Sequence, residues 1–176
     1  MGTDGETGAT ADRAVMTLVG RFADRDAWTA AGWCTLERAL EIVGTRSAMI
    51  LLREAFYGGR RFDQLVRRTG LSDAVAATRL KQLVDDGLLE QQPYREPGTR
   101  TRYEYVLTDR GRSLFPVLVA LVNWGAGLDT GPRGIELVHT ECGEPVEAVV
   151  RCRAGHEVTL PETGARLARR AGTPRR

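Results

Sequence analysis

Thiols and imidazoles are scarce in this chain, three cysteines and two histidines in 176 residues, and four of the five fall into two short spacings. These are His139-Thr-Glu-Cys142 and Cys152-Arg-Ala-Gly-His156. Two soft ligands in each of two turns are what a Cys2His2 tetrahedral site requires, so zinc is the cofactor that His139, Cys142, Cys152 and His156 could hold. A zinc ribbon would place cysteine at Gly155 rather than histidine at 156, which makes the pattern a degenerate ribbon with His156 replacing a lost ligand. A metal-free, three-stranded flap packed by valines accounts for the same residues. A Cys/His nucleophile pair could be drawn from them too, but no glycine-rich phosphate loop, paired-carboxylate motif or nucleophile elbow accompanies it, so the chain is not read as an enzyme. The third thiol, Cys34, stands just before a helical stretch. A helix N-terminus stabilises a thiolate, which suits sensing of oxidants or electrophiles; a cysteine among Trp33, Leu36 and Leu40 also serves as a small buried hydrophobe.

The second chemical signal is basic. The formal charge is only +2, yet between Arg60 and Lys81 six cationic residues meet two anionic ones, Asp63 and Asp73. Lys81 is the only lysine, so nearly all the positive charge sits on guanidinium groups, whose planar fork binds phosphate and guanine edges in bidentate fashion. With 42% hydrophobic and 27% charged residues the composition is that of a soluble domain with a small appendage. Val117 to Val122 is the longest apolar run, far short of the roughly 18 residues that cross a bilayer, and Met1 to Thr10 lacks the basic-then-apolar order of a signal peptide. No membrane partner is expected. An odd cysteine count without an export signal points to a reducing compartment, the cytoplasm.

The elements that position these groups follow from periodicity. Residues 1–12 read as a disordered leader. Val15, Leu18, Val19 and Phe22 recur at helical spacing and predict a helix from Arg13 to about Asp24. Two more follow, Thr35 to Val43 with Leu36, Ala39, Leu40 and Val43 inward, and Arg46 to Tyr57, stopped by Gly58-Gly59. Phe62, Leu65 and Val66 give a short helix ending at Gly70, after which Ser72 caps a helix whose Ala76, Leu80, Leu83 and Val84 share one face. The opposite face carries Ala74, Val75, Thr78 and Gln82, flanked by Arg79 and Lys81. Beyond Gly87 the period changes to 2, predicting strands Leu88 to Tyr94 and Arg102 to Leu107 joined through Glu96-Pro97-Gly98-Thr99. Thr108 then caps a helix through about Gly125, kinked at Pro116. Gly131 to Gly134 is a linker, and residues 135–170 read as a small, three-stranded, β-rich unit, the possible zinc ribbon.

Helix, helix, turn, helix and basic hairpin in that order is a winged helix-turn-helix plan, giving a mainly α fold with a β-wing and a small C-terminal β appendage. A helix fits the major groove of double-stranded DNA, small residues near its start let the backbone approach, and helix N-termini with arginines hold phosphates. The DNA-facing set is therefore Arg46, Arg61, Ser72, Ala74, Val75, Thr78, Arg79, Gln82, Arg95, Arg100 and Arg102. Within it Thr78, Arg79 and Gln82 read bases, while Arg61, Arg100 and Arg102 position the protein on the backbone or minor groove. The alternatives are a winged helix that binds protein, or a zinc-binding regulator without operator specificity.

The segments Cys34-Thr-Leu-Glu-Arg-Ala-Leu, Val43-Gly-Thr-Arg-Ser, Arg60-Arg-Phe-Asp-Gln-Leu, Gly70-Leu-Ser, Arg79-Leu-Lys-Gln-Leu-Val-Asp-Asp-Gly-Leu-Leu and Tyr105-Val-Leu-Thr-Asp-Arg-Gly-Arg are similar to the HxlR branch of the MarR-like transcription regulators. The likeness runs from about Cys34 to Trp124, and residues 13–128 are assigned to the HxlR-type domain. It implies a bacterial, homodimeric repressor or activator that binds a pseudo-palindromic operator, with dimer contacts from the first and last helices; a repressor released by an oxidant, an electrophile or a small-molecule effector is the expected form. It also implies a sensing role for Cys34, since several members sense through a cysteine at this position. Two residues depart from the pattern. Thr35 stands where the family commonly has proline, and Ser47 where it commonly has tryptophan, leaving a core position for Trp33 or Trp28 to fill. Val15, Leu18, Val19 and Phe22, with Leu114, Leu118, Leu121 and Val122, are the apolar surfaces expected to pair across the two-fold axis.

Overall fold

Capping and apolar spacing set the helices of the computed structural model, which describes residues 15–27, 29, 34–95, 98, 100–128 and 134–168. Helix α1 is Thr35–Val43 and α2 is Arg46–Phe56, the latter capped by Thr45, whose hydroxyl accepts from the Ala48 N–H at 3.2 Å. Helix α3, Phe62–Thr69, ends at Gly70 with φ 67°, a left-handed conformation open to glycine without a Cβ penalty. Two residues later Ser72 accepts from the Val75 N–H at 3.4 Å and starts α4, Asp73–Asp85. Helix, three-residue turn and helix thus form as the spacing predicts.

The core lies where these helices meet. Ala48, Leu51 and Leu52 of α2, Leu65 of α3 and Leu80 and Leu83 of α4 form one buried cluster with Leu88 and Leu89. Each fully buried leucine contributes about 1.5–3 kcal/mol of transfer free energy. Strands β2 (Leu89–Tyr94) and β3 (Arg102–Leu107) pair antiparallel, with Leu89 opposite Leu107 and Tyr94 opposite Arg102. The Tyr105 N–H donates to the Arg60 carbonyl at 2.8 Å, fastening this hairpin to the loop before α3. Ser47, which stands at the expected tryptophan position, is half-buried with its hydroxyl 3.3 Å from that of Thr45, while Trp28 and Trp33 lie outside the described residues.

Four expectations change. In place of a helix to Asp24 the described residues from Val15 onward contain β1 (Thr17–Leu18) and a 3-10 turn at Gly20–Phe22. Strand β1 pairs in parallel with β4 (Gly164–Ala165), so cross-strand hydrogen bonds override the helical spacing of the apolar residues. On α1, Leu36 and Leu40 are 64% and 52% exposed rather than turned inward, and the half-buried Ile42 and Val43 make the core contact. The helix after Thr108 is two helices, α5 (Asp109–Arg112) and α6 (Phe115–Ala126). Pro116 occupies the first turn of α6, where a missing N–H costs nothing, so the chain breaks before it instead of kinking at it. Finally, the expected three-stranded appendage is a pair of isolated bridges, Val138 with Pro145 and Arg151 with Glu157, plus β4.

The chain divides into two compact units, Gly32–Ala148 and the pair of ends Met1–Ala31 and Val149–Arg176. In the first, Asn123 of α6 clasps the C-terminal segment by donating from Nδ2 to the Val146 carbonyl at 3.0 Å and accepting from the Ala148 N–H at 2.8 Å. In the second, the Glu162 carboxylate accepts from the Thr159 N–H and hydroxyl at 2.8 and 2.7 Å, which hold its pKa below the ordinary value.

Candidate nucleic-acid interface

Burial of Ala76, Leu80 and Leu83 fixes how α4 is rotated, because these three must point into the core. The rotation turns Ala74, Val75, Thr78 and Gln82 outward, all four exposed, with the half-buried Arg79 at their edge. The Arg79 Nη1 donates to the Gln82 Oε1 at 2.9 Å, so the guanidinium and amide sit as a joined donor and acceptor pair on that face. Asp63 lies 3.8 Å from Arg67 on the exposed surface of α3. Lys81 pairs with Asp85 at 3.1 Å one turn further along. Ser72, exposed at the start of α4, has its hydroxyl engaged in the cap.

The arginines expected to position the protein on DNA fall at element ends. Arg61 is the residue before α3; its N–H donates to the Gln64 Oε1 at 3.4 Å and its guanidinium carbon lies 4.7 Å from the centre of the Tyr94 ring. That stacking holds the cation against the loop end of β2. Arg95, Arg100 and Arg102 are exposed near the hairpin tip, around Gly98 with φ 77°, while Glu96, Pro97 and Thr99 of the expected turn lie outside the described residues. Arg46 is exposed in the first turn of α2. The hairpin arginines and the outward face of α4 thus belong to one unit and flank one helix-turn-helix.

Sequence reading overlooked what the remaining charges do. Arg60 is joined to Glu104 at 3.4 Å, and Arg53 binds the buried Glu54 at 2.7 Å, so both are structural. Tyr94, the ring under Arg61, stands opposite Arg102 at the loop end of the two strands, and that register is the signal that pairs it with the basic hairpin. Arg67 and Arg68 are exposed in the last turn of α3, beside the turn that leads into α4.

The thiol and imidazole groups are more scattered. Cys34 is the half-buried residue immediately before α1 and makes no side-chain cap. His139 Nδ1 is 3.2 Å from Cys142 Sγ, both exposed, in the turn closed by the His139 N–H to the Glu144 carbonyl at 2.8 Å. Cys152 and His156 face each other along the backbone, the Cys152 N–H donating to the His156 carbonyl at 2.9 Å. Among the described residues no group of three or more His, Cys, Asp and Glu side chains is arranged to hold a metal ion. None of the described helices is long and apolar enough to cross a membrane.

Comparison with known proteins agrees with this geometry. Residues 42–131 match the model of the HxlR-like helix-turn-helix family. The chain is 42% identical over 134 residues to the HTH-type transcriptional regulator Rv3095 of Mycobacterium tuberculosis, covering 72% of this chain and 84% of that protein. The crystal structure of PA1607, described as a candidate transcription factor, superposes with a TM-score of 0.69 at 33% identity, over 80% of this chain and 97% of the other. The oxidised form of the redox regulator HypR superposes with a TM-score of 0.50 at 25% identity, over 56% of this chain and all of that one. With an outward-turned second helix, a basic hairpin beside it and these relatives, the chain belongs to the HxlR-like helix-turn-helix family and is a transcriptional regulator with a winged helix-turn-helix DNA-binding domain.

Proposed function

We propose that this regulator binds a pseudo-palindromic operator as a homodimer and represses transcription by occupying it. The observation that carries the reading is the small, polar, exposed face of α4 between Ala74 and Gln82, bordered by Arg79 and by the hairpin arginines. Such a face fits the major groove, and arginines beside it fit the flanking phosphates.

Symmetry of the site follows from apolar surface that one chain leaves uncovered. Leu36 and Leu40 of α1, and Phe115, Leu121 and Trp124 of α6, are each between 46% and 70% exposed. These replace part of the surface expected from sequence, because Leu118 is 5% exposed inside the domain. A pair of such faces is what an isologous interface needs. Light scattering at micromolar concentration without DNA should give twice the 19.3 kDa chain mass, and Leu121→Asp should shift it toward one chain. A wild-type mass of one chain would contradict the dimer.

A second reading concerns release. Cys34 stands at the start of α1, next to the exposed Leu36, and the similar HypR is named a redox regulator. Oxidation or alkylation of this thiol would add bulk where α1 enters the proposed interface. Diamide should weaken operator binding of the wild type by at least about tenfold, the equivalent of 1.4 kcal/mol, and leave Cys34→Ser unchanged. Equal loss in both proteins would exclude Cys34 as the sensor.

A further inference from the structure

A cleft of about 1020 Å³ opens within the Gly32–Ala148 unit between the end of α2, helix α6 and the segment 134–148, which folds back on itself through the Val138–Pro145 bridge. One wall comes from residues inside the family match at 42–131, the other from a segment that lies beyond it. The Asn123 clasp on Val146 and Ala148 holds that segment against α6, so the cleft is built rather than left by a loose loop. Its volume is that of a site for a drug-sized molecule.

The lining is divided in character. Val122 and Ala126 of α6 and Ile135, Leu137 and Val146 of the segment supply apolar surface. Tyr57, 39% exposed, adds an aromatic ring. Of the polar groups, Arg53 is joined to Glu54 through Nη2 at 2.7 Å and Nε at 3.1 Å, so its charge is already balanced. The Asn123 amide is engaged by the segment. Glu136 and Glu147 remain, and neither has an ion-pair partner among the described residues. An anionic ligand would meet two carboxylates and no unbalanced cation. A cation on an apolar body would gain from both carboxylates, from the Tyr57 ring and from burial of its hydrocarbon.

We propose that this cleft binds a lipophilic organic cation, an aromatic or branched apolar molecule carrying one positive charge, with Glu136 and Glu147 selecting its sign. The site uses residues outside the DNA-facing set, and binding is read on the free protein, so its failure leaves the operator reading standing.

The test uses a shape-matched pair of probes, tetraphenylphosphonium and tetraphenylborate, titrated calorimetrically into the full-length chain. The phosphonium should bind saturably and at least about tenfold more tightly than the borate, and Glu136→Gln with Glu147→Gln should weaken it roughly tenfold while Glu90→Gln on β2 has no effect. Ala126→Trp, a filling substitution from an exposed position, should abolish binding with the far-ultraviolet dichroism unchanged. Absence of saturable phosphonium binding, equal affinity for the two probes, or unchanged affinity in the double carboxamide variant would each overturn the proposal.

Discussion

Gly111→Ala should lower the melting temperature by about 4–12 °C, since an overpacked side chain costs about 1–3 kcal/mol and each kcal/mol moves a domain of this size by about 4 °C. Gly111 is buried in α5, and a Cβ placed on it would collide with the Leu88 carbonyl oxygen and lie 3.0 Å from the Leu107 side chain. Backbone cannot yield there. The Leu88 carbonyl accepts from the Thr108 N–H at 3.1 Å, and the Thr108 hydroxyl donates to the Gly87 carbonyl at 2.7 Å while accepting from the Gly111 N–H at 3.0 Å. This knot joins the end of β3 and the start of α5 to the turn after α4, and so sets where the hairpin lies beside α4, the helix proposed to face DNA. Gly125→Ala is the control: its added Cβ meets nothing within 4 Å, and alanine favours helix, so the melting temperature should hold or rise slightly. Equal effects of the two substitutions would show that the close approach at Leu88 is not a constraint on the fold.

Replacing Thr78 and Gln82 together by alanine should remove most discrimination between operator and scrambled duplex while leaving the fold intact. Both side chains are exposed, so the buried Ala76, Leu80 and Leu83 are untouched. A well-made base contact carries about 1–3 kcal/mol of discrimination, and two lost at separate base pairs reduce preference by roughly a hundredfold. The Gln82 substitution acts twice, because it also frees the Arg79 guanidinium held at 2.9 Å. Arg79→Ala alone should therefore resemble Gln82→Ala more closely than it resembles a phosphate contact. Unchanged discrimination in the double variant, with circular dichroism as in the wild type, would mean that bases are read elsewhere.

Sequence made the helix-turn-helix legible because its signals are local: the Ser72 cap, the left-handed Gly70 and the spacing of Leu80 and Leu83 depend on neighbours within a few residues. The two hairpin strands followed from period-2 alternation. What escaped depends on partners distant in the chain. The spacing of Val15, Leu18 and Val19 suits a helix, yet pairing of Thr17 with Gly164 makes a strand, a contact 147 positions away that no local pattern announces. Leu36 and Leu40 look like core residues by spacing and are exposed, because periodicity identifies an apolar face without saying whether the same chain covers it. Arg61 was recognised as a cation near the motif, but its stacking on Tyr94 required the hairpin to be folded back beside α3.

The division of labour between α4 and the hairpin is the centre of the account, and a salt series tests it most directly. Affinities of the wild type, Thr78→Ala and Arg100→Ala would be measured against an operator selected from random DNA and against a scrambled duplex of equal length. Arg100→Ala should weaken both duplexes alike and reduce the slope of log affinity against log salt by about one unit, the mark of one lost phosphate contact. Thr78→Ala should leave that slope in place and lose about 1–3 kcal/mol on the operator alone. If Arg100→Ala instead altered sequence preference at constant slope while Thr78→Ala lowered all affinities equally, α4 would not be the reading helix and the proposed docking would be wrong.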